Sequence, residues 1–145
     1  MDIKKVSIII IFVLSIMLSG GIIMAADKNV KGIIFFKTQM MEELKDFYTK
    51  EVGCEIWLEQ GGCVILKAGN MLFGFCQRDK ADMDALITFF YDTKEEVDLK
   101  YKKFKKSALD KPAENLKYKI YHFFAKDPEE RMIEFQHFLN PIKKI

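Results

Sequence analysis

The stretch Tyr118–His137 reads YKIYHFFAKDPEERMIEFQH and closes the globular part of the chain. Aromatic and apolar runs flank Asp127–Arg131 (DPEER), so the segment reads as a β-hairpin turning there, with its proline confined to the turn. On the returning strand Glu134 lies between Ile133 and Phe135 and points to the opposite face from both. A carboxylate in that position meets either water or a polar cavity.

Upstream, Gly32–Lys37 (GIIFFK) is a compact apolar strand, followed by a helix over about Met40–Glu51 that Gly53 ends. Three short strands come next, Cys54–Glu59, Cys63–Lys67 and Met71–Gln77, separated by Gly61 with Gly62 and by Gly69 with Asn70. This βαβββ unit recurs. Leu86–Tyr91 reads as a strand, Lys94–Ser107 as a helix, and Tyr118–Phe124 and Met132–Phe138 as strands. The remaining strand falls in the Ser107–Lys117 connection or is reduced to an extended loop there. Glu42, Glu43, Leu44 and Tyr48 return as Glu95, Glu96, Val97 and Tyr101, displaced by 53; Phe35 and Phe36 return as Phe89 and Phe90, displaced by 54, which implies one indel.

Two βαβββ modules, the motif FYTKEVGCE at Phe47–Glu55 and the DPEER hairpin resemble the vicinal oxygen chelate superfamily of glyoxalase I, bleomycin resistance proteins and extradiol dioxygenases. The resemblance covers residues 31–140 and implies an α+β fold in which modules of about 31–78 and 84–140 curve as one mixed-sheet cup around a shared cavity. It also implies four metal-ligand positions, one on the first and one on the last strand of each module. Only Glu134 holds a ligand type. The other three positions fall at Ile33 or its neighbours Gly32 and Ile34, at Gly74, and at Ala85, Leu86 or Ile87. A hard divalent ion needs several oxygen or nitrogen ligands at once, so no metal or other cofactor is expected. His122 and His137 are the only histidines; His122 is on the partner strand of the same hairpin as Glu134, whereas His137 shares the face of Phe135. The turn departs as well, because Glu130 occupies a position where family members carry glycine for a positive φ.

Family geometry implies a cavity lined by Phe35, Phe73 or Phe75, Phe89, Met132, Glu134 and Gln136, with Trp57, Gln60, Tyr121 and Phe123 at its rim. The thirteen phenylalanines fill the space between sheet and helices on one reading. On the other, an aromatic cup with one carboxylate and one amide holds a flat or cationic organic molecule.

The 145 residues, half of them hydrophobic, suit one domain after a leader is set aside. Residues 1–26 read as that leader: Lys4 and Lys5 precede an apolar run, and Met24, Ala25 and Ala26 stand before Asp27. It is an export signal or an uncleaved membrane anchor, since the 21 uncharged residues Val6–Ala26 span roughly 30 Å as a helix. Either way the domain is placed outside the cytoplasm, with the N-terminal segment as its sole membrane contact. Without the leader, 21 basic residues face 20 acidic ones, a balance that provides no field for nucleic acid. The run Lys100, Lys102, Lys103, Lys105 and Lys106 reads as a solvated helix face. A two-residue turn at Gly69 and Asn70 sets Cys63 opposite Cys76, a pair that an exported protein is able to oxidise, and leaves Cys54 apart.

Three functions are compatible with these residues. One is an exported protein that binds a small organic ligand without metal. Another is a glyoxalase-type lyase or isomerase using Glu134 as general base with His122, or as a residual metal ligand. The third is a structural or dimerisation domain, because domains of this kind often form homodimers.

Overall fold

The computed structural model describes residues 31–143. The leader lies outside the described residues, and among those described no helix is long and apolar enough to cross a membrane. Strand β1 (Ile34–Thr38) leads into helix α1 (Met41–Asp46), which continues as a π-helical segment over Phe47–Val52. Strands β2 (Glu55–Gln60), β3 (Cys63–Ala68) and β4 (Met71–Gln77) complete the first module. The second module comprises β5 (Leu86–Tyr91), α2 (Lys94–Phe104), β6 (Ala113–Asn115), β7 (Ile120–Lys126) and β8 (Met132–Phe138). The connection after α2 thus does contain a strand, β6, of three residues.

The eight strands form two four-stranded mixed sheets in equivalent orders, β1-β4-β3-β2 and β5-β8-β7-β6. In each, the first and last strands of the module run parallel and the rest antiparallel. Phe35 pairs with Gly74, and Thr88 with Glu134. Phe36 and Phe89 both turn toward the helices, Phe36 onto Phe75 and Phe89 onto Phe135. The structural equivalents are therefore Phe35 with Thr88 and Phe36 with Phe89. A displacement of 53 relates the first strands and the helices alike, so between those elements the indel inferred from the two Phe-Phe pairs is not needed.

Local chemistry explains the element ends. Thr93 caps α2 through a reciprocal box with Glu96, in which Glu96 N–H donates to Thr93 Oγ1 and Thr93 N–H to Glu96 Oε2. Gly53 ends the first helical segment at φ 92°, a conformation costly for any residue with a Cβ, while the Tyr48 carbonyl accepts from both Gly53 and Cys54 N–H. At the Gly69–Asn70 turn Ala68 pairs with Met71, which carries the register out to Cys63 opposite Cys76. Those two cysteines are joined in a disulfide with 4.0 Å between their Cα atoms, and Cys54 is free and buried.

Alternation along the strands sorts the side chains into two faces. Val64, Leu66, Phe73 and Phe75 of the first sheet, with Ile87, Phe89, Phe123, Ile133 and Phe135 of the second, form one core with Leu44, Tyr48, Val97 and Phe104 from the helices. Tyr48 stacks on Phe75 and meets Phe73 edge-on, and Phe104 packs 4.8 Å from Phe135. Each buried aromatic ring contributes on the order of 2–3 kcal/mol relative to exposure.

The DPEER turn is not a solvated hairpin end. Asp127, Glu129 and Arg131, alternate residues on one side of the turn, are buried at the seam with the first module. Arg131 Nη1 donates to Asp127 Oδ2 at 2.6 Å, Nη2 to Glu129 Oε2 at 2.8 Å, and Nε to the Asp82 carbonyl at 2.8 Å. The first module supplies donors: Tyr48 OH to Asp127, Thr38 Oγ1 and Gln39 N–H to Glu129. The guanidinium carbon also stands 5.1 Å from the Phe75 ring centroid. Burial pushes the Glu129 carboxyl upward, but the donors from Gln39, Arg131 and Thr38 outweigh it and hold the group below its usual value. Glu130 meets the turn's demand directly, with φ 67°.

Two substitutions probe this seam by chemical denaturation. Arg131→Leu leaves two buried carboxylates without their cation and is expected to lower stability by about 3–5 kcal/mol. Glu130→Gly relieves the positive φ at the cost of one exposed ion pair with Lys126 and is expected to raise stability by about 0.5–1 kcal/mol. An Arg131→Leu midpoint equal to that of wild type would show that the seam holds without the guanidinium.

Candidate functional site

The face of the second sheet opposite the helices carries Thr88 and Phe90 from β5, His122 and Phe124 from β7, and Met132, Glu134 and Gln136 from β8. Glu134 is set there because Ile133 and Phe135 on either side of it are drawn into the core. It is flanked in register by Thr88 on one side and Phe124 on the other. Glu134 is only 6% exposed, and both its oxygens are engaged. Thr88 Oγ1 donates to Oε2 at 2.8 Å, and His122 Nδ1 lies 2.6 Å from Oε1. A carboxylate only accepts, so Nδ1 carries the shared proton and a neutral imidazole leaves Nε2 bare. Among the described residues Nε2 has no hydrogen-bond partner. Gln136, buried beside this group, pairs in register with His122.

On the first sheet the two equivalent cross-strand positions are apolar. Gly74 stands where Glu134 stands in the second module, and Phe35 where Thr88 does. The Phe35 ring lies over the glycine: a Cβ built at Gly74 meets Phe35 Cε1 at 2.8 Å and the Val64 carbonyl at 2.8 Å. No side chain fits at position 74 while that ring is in place.

These four cross-strand positions, Phe35, Gly74, Thr88 and Glu134, are where the resemblance places a divalent ion. The register corrects two of the sequence-derived positions, since Phe35 and Thr88, rather than Ile33 and Ala85, stand directly opposite the last-strand residues. The residues present do not fit a metal. One position is an aromatic ring, one has no side chain, and the threonine and histidine are both committed to the single carboxylate. Among the described residues no three His, Cys, Asp or Glu side chains gather as a metal-binding group.

The structure brings together Glu134, His122, Gln136 and Met132 and places Phe35 on the equivalent face of the first sheet. The other candidates lie elsewhere. Phe73, Phe75, Phe89 and Phe123 are buried in the core against the helices. Tyr121 also faces α2, where its hydroxyl donates to Asp98 at 2.7 Å. The sequence reading admitted Phe73, Phe75 and Phe89 as lining because it took the aromatic runs without their parity; each is an odd step from the Gly74 or Glu134 face. Trp57 sits at a bulge in the edge strand β2, 51% exposed, with Gln60 exposed at the strand's end. His137 shares the Phe135 side as expected, with Nδ1 3.1 Å from the Tyr91 carbonyl. Thr88 is the participant that the sequence reading missed, and carrying the helices' displacement of 53 back to Phe35 would have found it.

No protein-family model matches the chain, and no curated protein matches it. Solved structures do. The chain is similar to a glyoxalase/bleomycin resistance protein/dioxygenase family enzyme from Burkholderia phytofirmans PsJN, at TM-score 0.65 and 19% identity over 74% of this chain and 97% of that one. Another is a glyoxalase/bleomycin resistance protein/dioxygenase from Alicyclobacillus acidocaldarius, at TM-score 0.64 and 16% identity over 80% and 96%. A lactoylglutathione lyase from Agrobacterium tumefaciens aligns at TM-score 0.62 and 17% identity over 75% and 93%. Paired βαβββ modules, parallel first and last strands and this structural likeness together give the chain the fold of the vicinal oxygen chelate superfamily.

Proposed function

We propose that the domain binds a small organic molecule directly through side chains, without a metal, on the face carrying Glu134, His122 and Gln136. The observation that supports this most is the replacement of the ligand quartet by Phe35, Gly74, Thr88 and Glu134, with the Phe35 ring filling the space over Gly74. An aromatic ring, an imidazole edge, an amide and a buried carboxylate recognise a flat molecule with one or two polar or cationic groups. Export fits the Cys63–Cys76 disulfide, which persists in oxidising compartments.

A second reading rests on the 2.6 Å contact between Glu134 and His122. Because Thr88 and His122 occupy both carboxylate oxygens, the free basic atom is His122 Nε2, and Glu134 acts as its orienting partner. An imidazole held in that way is suited to removing a proton beside a carbonyl, as a lyase or isomerase does. The roles assigned from sequence, Glu134 as base and His122 as helper, are exchanged.

N-methylquinolinium and neutral quinoline serve as flat probes for calorimetry and NMR. Binding of the cation with shifts at His122 and Phe35, weakened roughly tenfold in Glu134→Gln, is the expected result. The same substitution is expected to change stability by less than about 1 kcal/mol, since an amide still serves Thr88 and His122. It should move the imidazole proton from Nδ1 to Nε2, read from the ring 15N shifts. Elemental analysis of protein purified without added metal should find no stoichiometric zinc, nickel, iron or manganese; one metal per chain, lost in Glu134→Ala, would overturn the metal-free reading. Proton exchange into an α-hydroxy ketone that depends on His122 would favour the enzymatic reading over binding alone.

A further inference from the structure

The end of the first helical segment, the β3–β4 turn, β5 and α2 border a half-open pocket of about 550 Å³. That volume is within the range of small-molecule sites. Ala68, Met71, Phe89 and Phe90 give it an apolar wall, and Asn70 and Thr88 add polar groups. Lys100 is the one charged residue in its lining. Its Nζ donates to the Val52 carbonyl at 2.7 Å and stands 5.8 Å from the Tyr91 ring centroid. Among the described residues no carboxylate lies within 4.0 Å of that nitrogen, whereas Lys45, Lys50, Lys94 and Lys103 of the two helical segments each have an acidic partner.

The surroundings leave this ammonium short of counter-charge. Burial, and then the like charge of Lys103, hold it below the usual lysine value. The nearby Cys54 thiol does not supply an anion, because burial pushes it up to about 12. A cation with one neutral acceptor at the mouth of an apolar pocket is matched by an anion carrying an apolar body. We propose that this pocket binds a small organic acid, with its carboxylate on Lys100 and its apolar body against Met71, Phe89 and Phe90. The pocket adjoins the Glu134 face through Thr88, whose hydroxyl donates to Glu134 Oε2, but its one charged residue, Lys100, lies on α2.

Phenylacetate and its neutral analogue phenylacetamide test the assignment on the full-length chain, by calorimetry and by amide shifts in NMR. Phenylacetate is expected to move the signals of Gly53, Gly69 and Asn70 and to bind at least roughly tenfold more tightly than the amide. Lys100→Met should remove that preference and Lys100→Arg should keep it. Ala68→Phe, which fills the pocket and leaves Lys100 in place, should abolish binding of both compounds. Should Lys100→Met fail to fold, Lys100→Arg and Ala68→Phe decide. Equal affinity for acid and amide, an Ala68→Phe variant that binds as wild type, or shifts gathered at His122 would overturn the proposal.

Discussion

Arg131 is the fixed point of the molecule. A guanidinium removed from water is tolerated only where its donors are met, and here Asp127, Glu129 and the carbonyls of Asp82 and Lys37 meet them. Those partners come from both modules and from the linker between them. The two carboxylates are in turn held by Tyr48, Thr38 and Gln39 of the first module. A buried charged cluster of this kind contributes more to choosing one arrangement than to net stability, because any other docking of the hairpin would leave charges unpaired.

The same cluster decides what the open face contains. Arg131, Ile133 and Phe135 share the helix side of β8, so Met132, Glu134 and Gln136 take the other. A slip of one residue would bury Glu134 among aromatic rings and expel Phe135, and the ion cluster makes that slip expensive. The charged turn and the polar site, opposite in position, are thus one constraint on strand parity. Two modules with equivalent topology then diverge in chemistry: the Phe35 ring covers Gly74 in one, while in the other Thr88 and His122 make the Glu134 carboxylate the anchor of an imidazole.

Much of this fold was legible in the chain itself. Short-range signals identified the elements: Gly61 with Gly62 and Gly69 with Asn70 at the β2–β3 and β3–β4 turns, and the apolar strands Leu86–Tyr91 and Met132–Phe138, whose ends match the structure. The Cys63 and Cys76 pairing followed from the turn at Gly69 and Asn70 because an antiparallel ladder propagates register without further information. The resemblance left Glu130 either to adopt a positive φ or to reshape the turn, and it adopts the positive φ. The helix over Met40–Glu51 was only partly so, since its second half is π-helical, a change that residue propensities do not encode.

Sequence alone determined the two modules, their strand order within each hairpin and the outward step of Glu134, all of which depend on residues close in the chain or on a repeat within it. Tertiary structure decided that DPEER is an interior clamp, that Phe73, Phe75 and Phe89 belong to the core, that Thr88 rather than a neighbour faces Glu134, and that Lys100 overlooks a pocket without a counter-ion. The physical reason is common to these. A parallel pairing such as β5 with β8 joins residues about forty-six positions apart with no turn to transmit register, and burial of a charge is set by whatever chain arrives beside it.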